Sequence, residues 1–521
     1  YNAVSSIALD PLTLDTSPQA IPDLTDSQYR EAMAQHDLHG LRQGAVNYRG
    51  VRHLKSDLLW RSFQEFRNKH FGKRTPRELT FLRFCADEHQ WLYDYCIFRM
   101  LMDAESTREN WELWSEDYNT IEKARAHVER LLEQDHDQTE RQLAFYAYVQ
   151  FVAFSQWDHV SAYAAKRRVK LMGDIPYGVS RCSADVFANP ELFDLEWCGG
   201  APTETNFKYY EFVMHFGQNW GIPLYRWDRM ANDGFAWWKR RVGKVSRFFD
   251  IFRIDHALGF YRIYSFPWRP DRNHEFLGLS PDQVVERTGG RHPGFNPGPD
   301  NTKESCARNR MRGEQYLSAL KEAAEATEIV AEDLGTVPPY VPESLLSIGL
   351  AGMRVPMWET EESGEFRAGT NYPYLTLATY ATHDHDPIRV QWERARHEAQ
   401  SGMGDPMGAA HFLQRLGRFA DIPGFGHNTI PEYSDGVREK LLEALFATHS
   451  RYASVMITDL LGLEERFNVP GVLSDENWSY RLPFTMSQLR EEPHWHQMGQ
   501  VLRQLLENTQ RATPSPAAMN A

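Results

Sequence analysis

The chain predicts an α/β fold with parallel strands, of the (β/α)8 TIM-barrel type. Short apolar runs alternate with helical periodicity from residue 169 onward. Three of these runs lead into acidic patterns: Arg253-Ile254-Asp255-His256, Ala331-Glu332-Asp333-Leu334-Gly335 and Thr382-His383-Asp384-His385-Asp386. Carboxylates at the C-terminal ends of buried strands are the disposition of a barrel active site. Six such runs are present, near 169–175, 249–255, 328–332, 352–357, 376–382 and 453–459. Six parallel strands fit either an open doubly wound sheet or a barrel whose first two strands are absent from the chain.

The elements follow in order. Residues 1–25 are polar and dotted with Pro11, Pro18 and Pro22, an irregular lead-in to the barrel domain. From 26 to 168 the pattern is helical. Leu54, Leu58, Leu59, Phe63 and Phe66 recur at spacings near three and four, as do Trp91, Tyr95, Phe98 and Leu101. No strand signal interrupts it, so a helical subdomain inserted between barrel strands is expected. Residues 169–507 form the remainder of the catalytic barrel. Helical stretches such as Gly234 to Arg247 and Gln315 to Ala326 separate its strands. Residues 286–304, rich in Gly, Pro, Asn and Asp, read as a long surface loop. The small, polar tail 508–521 reads as disordered.

Composition narrows the function classes. Of 521 residues, 42% are hydrophobic and 25% charged, as in an ordinary globular enzyme. A net charge of −14 argues against nucleic acid, whose phosphates need a basic surface, and against an anionic membrane. No apolar run approaches the roughly 20 residues of a membrane span, and no signal peptide opens the chain. Five scattered cysteines without a CxxC pattern read as reduced thiols of a cytoplasmic protein. Aromatic residues reach 13%. That excess fits packing residues first and sugar-stacking platforms second.

The acidic patterns admit two readings each. Arg253 and Asp255 are two apart on a strand and share a face. They could form a buried structural ion pair, or a nucleophile kept ionised by a guanidinium. Of the adjacent Glu332 and Asp333, only one can point into a barrel. A general acid must stay protonated near neutral pH, so its surroundings should be less polar than the nucleophile's. His383 and His385, joined by another Asp and by His256 or His215, could hold zinc or manganese. Alternatively, His383 and Asp384 hydrogen-bond sugar hydroxyls. Asp174 is either a turn former ahead of Pro176 or a fourth acid of the same site.

Together the motifs resemble the 4-α-glucanotransferases (amylomaltases, or disproportionating enzymes) of glycoside hydrolase family 77. The resemblance rests on Gly173-Asp174-Ile175-Pro176, on Ser183 to Phe193, on Gly217-Gln218-Asn219-Trp220-Gly221-Ile222-Pro223-Leu224-Tyr225-Arg226-Trp227, and on the three acidic patterns. Phe467-Asn468-Val469-Pro470-Gly471, followed by Asn477-Trp478 and Arg481-Leu482-Pro483, completes it. It implies transfer of α-1,4-glucan segments between malto-oligosaccharides, starch or glycogen, with no metal or organic cofactor. It implies a retaining double displacement, with Asp255 as nucleophile and Glu332 as acid and base, their carboxyls roughly 5–5.5 Å apart. Asp384, with His383, would bind hydroxyls of the reacting glucose and distort it. Arg253 would hold Asp255, Asp174 would contact the same sugar, and Tyr1, Gln218, Trp220 and Asn468 would help line the site.

The chain departs from the family pattern in places. Tyr1 to Ser6 look like the continuation of the family's Ser-Pro-Tyr turn, which follows its first two barrel strands. Those two strands are therefore expected to be missing. The family stretch before Gly217 is unrecognisable between Thr203 and Phe216, Ile222 replaces a usually polar residue, and His385 stands where Asn is common. Two other functions remain as alternatives: a non-catalytic α-glucan-binding protein, and a metal-dependent hydrolase built on His383 and His385.

Overall fold

The computed structural model describes residues 3–106, 108–203, 211–425, 429–470 and 474–511. Tyr1 and residues 512–521 of the tail lie outside them. Two compact units emerge. One comprises Tyr1–Arg42 and Asn47–Ser344, the other Gln43–Val46 and Leu345–Ala521.

Between residues 26 and 168 the first unit is helical, with no strand among the described residues. The longest helices are Tyr48–Lys69, His89–Ala104 and His136–Lys166. Their starts follow local chemistry. Thr25 and Gln28 form a capping box before Asp26–Gln35, Thr75 caps Pro76–Asp87, and Asp135 caps His136–Lys166. The apolar stripe of Leu58, Leu59, Phe63 and Phe66 is buried. Phe63 and Phe66 lie 5.5 and 5.0 Å from the Tyr148 ring. Most of the aromatic excess is therefore packing here. The wholly buried Glu88 ties this region to helix Ala236–Phe248, pairing with Lys244 at 2.7 Å while accepting from the Trp91 indole.

Among the described residues, seven strands belong to the first unit: β1 (Met172–Ile175), β2 (Phe193–Ala201), β3 (Gln218–Tyr225), β4 (Ile251–Ile254), β5 (Ile263–Phe266), β6 (Gly294–Asn296) and β7 (Glu328–Ala331). β1, β4 and β7 pair in parallel, β4 central, with Asp174 opposite Arg253 and Ile254 opposite Ala331. β4 is buried along its whole length. The other four strands form an antiparallel sheet in the order β3-β2-β5-β6. This sheet has no counterpart in the sequence reading. Its strands carry Gly199, Gly200 and Pro223, which read as turn residues, and β2 and β3 slip register between Gly199 and Gly200. Only glycine fits at Gly200, where an added Cβ would lie 1.9 Å from the Gln218 carbonyl oxygen. Part of the stretch 286–304 is ordered structure: Gly294–Asn296 pairs as an edge strand with β5. Arg262 stacks on Phe295 and pairs with Asp300, which also accepts from Asn309 and Tyr340.

The second unit contributes β8 (Ala351–Arg354), β9 (Thr376–Ala378) and β10 (Tyr452–Ala453), paired in parallel in that order. Its core gathers Tyr372, Tyr380, Trp392, Leu413, Leu416, Leu441 and Leu445. The strand expected over 453–459 stops at Ala453, and Ile457–Leu461 is a helix closed by Gly462 at φ 67°. A short apolar run cannot by itself distinguish strand from buried helix. In the tail, Asn508 ends helix Pro493–Asn508, and Arg511 donates to the Ser450 carbonyl at 2.6 Å.

Candidate active site

In the first unit, the register of three short strands assembles a carboxylate cluster. Asp255 and Glu332 lie one residue beyond the registered pair Ile254 and Ala331, so they leave neighbouring strands side by side. Arg253 is the hub. Its Nε and Nη2 donate to both oxygens of Asp174 at 3.0 and 2.9 Å, and Nη2 also donates to Asp255 Oδ1 at 2.9 Å. The guanidinium is nearly buried. Burial alone would lower its pKa, but the Asp174 and Asp255 carboxylates outweigh this and raise it.

The chain leaves β4 through His256, whose left-handed φ of 47° is rare for a residue with a side chain. That turn aims the His256 N–H at Glu332 Oε2, 2.6 Å away. Glu332 has lost most of its water, and its pKa is pushed up to about 8, chiefly by desolvation and then by the Asp255 charge; Arg253 and the His256 amide act in the other direction. Its neighbour Asp333 is buried elsewhere, where its charge acts on Tyr261. The His256 imidazole lies edge-on to Trp220 at 4.8 Å and to Tyr177 at 6.2 Å. Burial lowers its pKa to about 4, against the pull of Asp255. Trp220 Nε1 donates to Gln218 Oε1 at 3.1 Å, so β3 brings both residues beside the β4 end.

In the second unit, Asp384 sits in the turn after β9. Asn468 Nδ2 donates to its Oδ1 at 2.6 Å, and His383 Nε2 lies 3.4 Å from its Oδ2. Arg466 donates to the Asp384 carbonyl, to the Asn468 carbonyl and to Asp386. The indole of Trp478 lies 5.0 Å from His383 and stacks on Phe467. Half of it is exposed, and its φ of 61° is strained for so large a residue. Arg466 and Trp478 were not singled out as site residues from sequence. Their signal was adjacency to Asn468 and Asn477 in the C-terminal motif.

The two histidines of the His383-Asp384-His385 pattern turn to different partners. His385 Nδ1 accepts the Thr382 N–H at 3.2 Å, while His383 faces Asp384. His256 packs among aromatic rings, and His215 bonds the Glu211 carbonyl of its own helix. Among the described residues, no group of three or more His, Cys, Asp or Glu side chains is arranged to hold a metal ion. No described helix is long and apolar enough to cross a membrane. Tyr1, the remaining expected contact, is outside the described residues.

Comparison with known proteins gives one consistent result. The family model of glycoside hydrolase family 77, described as 4-alpha-glucanotransferase, matches residues 1–487. The 4-alpha-glucanotransferase of Chlamydia caviae is 28% identical over 494 residues, covering 92% of this chain and 80% of its own length. That of Thermus thermophilus is 28% identical over 488 residues, covering 92% and 84%. Amylomaltase from Streptococcus agalactiae, solved in complex with acarbose, superposes with a TM-score of 0.73 at 19% identity over 98% of this chain and 89% of that one. At that identity the likeness establishes a shared mixed α/β fold. With the family model spanning residues 1–487, the chain belongs to the 4-alpha-glucanotransferase family, glycoside hydrolase family 77.

Proposed function

We propose that this transferase works by a retaining double displacement, with Asp255 as nucleophile and Glu332 as acid and base. The observation that carries the proposal is the contrast between the two carboxyls. Asp255 is paired with a guanidinium, which suits an ionised nucleophile. Glu332, one strand over, has its pKa pushed up to about 8, which suits a proton donor at neutral pH. Environments that push two neighbouring carboxyls apart mark an acid and its partner.

In the first half-reaction Asp255 attacks the anomeric carbon while Glu332 protonates the departing glycosidic oxygen. The bond to the leaving saccharide breaks as the glucosyl–Asp255 ester forms. In the second, Glu332 takes the proton of an acceptor hydroxyl, which displaces Asp255 and restores the α-linkage. Such chemistry requires carboxyls about 5–5.5 Å apart. Arg253 orients Asp255, and Asp174 holds Arg253 from its other side. Asp384 and His383 bind hydroxyls of the reacting glucose, with Asn468 orienting Asp384; Gln218, Trp220 and Tyr1 line the glucan path. These roles rest on the family resemblance, alone for Tyr1 and together with the bonds described above for the others.

Donors and acceptors are malto-oligosaccharides, with starch- or glycogen-type glucans as the larger substrates. The scaffold is read as (β/α)8 and the site of action as cytoplasmic, supported by five free thiols. The acidic balance speaks against nucleic acid or an anionic membrane as partners. The test is covalent trapping. A fluorinated α-glucosyl fluoride that slows the second step should leave a glucosyl adduct on the peptide containing Asp255, read by mass spectrometry. An adduct on another acid would reassign the nucleophile.

A further inference from the structure

The structure contains a buried carboxylate that the proposed chemistry leaves unused. Asp459 is 3% exposed and lies in the short helix Ile457–Leu461. Its Oδ1 accepts the Ile388 N–H at 2.8 Å. Ile388 is the first residue of helix Ile388–Ser401, whose N-cap position is Pro387, without a side-chain cap of its own. The orphan donors of a helix start need an acceptor, and Asp459 supplies one from 71 residues away in sequence. Burial raises the Asp459 pKa to about 6, and the Ile388 amide partly offsets this.

The capped helix begins four residues after Asp384, so the turn bearing Asp384 is the lead-in to that helix. The loop following Asp459 grips the same lead-in further along. Arg389 Nη1 donates to the Gly462 carbonyl at 2.7 Å. Arg466 donates to the Asp384 carbonyl and pairs with Asp386 at 3.3 Å. Residues 459–468 therefore hold residues 384–389 through Asp459, Gly462, Glu464, Arg466 and Asn468, the last bonding the Asp384 carboxylate itself.

We propose that Asp459 is a positioning residue for Asp384: it caps the helix behind the catalytic turn and fixes where that turn presents its carboxylate. The proposal rests on the reading of Asp384 as a substrate-binding acid. Misplacement by about 1 Å can cost on the order of a hundredfold in rate, so the effect belongs in kcat.

The test uses the full chain on maltotriose, with melting temperature recorded beside kcat and KM. Asp459→Leu keeps the branching and number of side-chain heavy atoms, with bulkier methyls, and removes the acceptor. It should lower kcat roughly 10- to 100-fold with KM within about twofold. Asp459→Asn keeps an acceptor oxygen, as good at a helix start as Asp, and should retain at least about half of kcat. A folded Leu variant with wild-type kcat overturns the proposal, as does an Asn variant as damaged as Leu. If Asp459→Leu does not fold, Asp459→Glu carries the test. It moves the acceptor by one methylene and should lower kcat about threefold or more, and unchanged kcat overturns the proposal. Asp384→Asn, run in parallel, separates the two claims. Activity in that variant refutes the reading of Asp384 and with it the positioning role. An inactive Asp384→Asn beside a normal, folded Asp459→Leu refutes the positioning role alone.

Discussion

Asp255 and Glu332 leave neighbouring strands at the same level, yet one meets a guanidinium and the other a backbone amide and little water. The consequence is a pH dependence of defined sign. In the proposed double displacement Glu332 is protonated for the first step, and it loses its proton as pH rises through about 8. The alkaline limb of kcat/KM should therefore fall about tenfold per pH unit above roughly pH 8. A limb near pH 5 would show that the acid is a different group. At this scale much of the cluster was legible. Arg253 and Asp255 share a strand face because they are two residues apart, and the observed bond follows from that spacing. Strand spacing left the choice between Glu332 and Asp333 open, and only the family resemblance favoured Glu332; the bond that Glu332 accepts comes from the left-handed turn at His256, on another strand, which shows no local signal in the sequence.

β4 and β7 stand where their apolar runs were read, because near-continuous burial leaves a run of Ile, Val, Phe and Ala; β1, whose burial alternates, also lies within its run. The antiparallel sheet of β2, β3, β5 and β6 was missed because its strands hold glycines for close backbone approach and a proline. The cap by Asp459 was invisible for a different reason: the spacing of two residues far apart in sequence carries no pattern. It nevertheless has a consequence for stability. In the unfolded chain Asp459 titrates near 3.8, and in the folded one near 6. Between those values the folded state holds a proton that the unfolded state lacks, so stability falls as pH rises through that window. Buried Tyr380 and Tyr433 feel the Asp459 charge and stay neutral there. Asp459→Asn does not titrate. Relative to wild type it should gain stability between pH 4 and pH 7, by up to about 3 kcal/mol, in urea titrations at each pH. A constant difference would contradict the buried, protonated Asp459.

In the first unit, long-range bonds join regions that the sequence reading treated as separate. Glu88, buried, accepts from Lys244, Arg247 and Trp91, linking the helical stretch to the helix that precedes β4. Glu88→Ala takes the acceptor from Lys244 and the Trp91 indole, while Arg247 keeps Asp158, and should cost about 2–4 kcal/mol of stability, seen as a lower denaturant midpoint; no change would show that solvent replaces the carboxylate. Through the same helix this link supports the strand that carries Arg253 and the approach to Asp255. The helical character of 26–168 was readable from its periodicity, whereas its attachment through buried Glu88, with the Arg247–Asp158 and Arg181–Glu112 pairs, was not. The family assignment and the strand register support the proposed centre, in which Asp255 is the nucleophile of a glucan transferase. The most direct measurement is a chromatogram of maltotriose incubated with the wild-type chain and, separately, with Asp255→Asn. The account predicts glucose together with a ladder of longer maltodextrins from the wild type, and neither from the folded variant. An undiminished ladder from Asp255→Asn would contradict it.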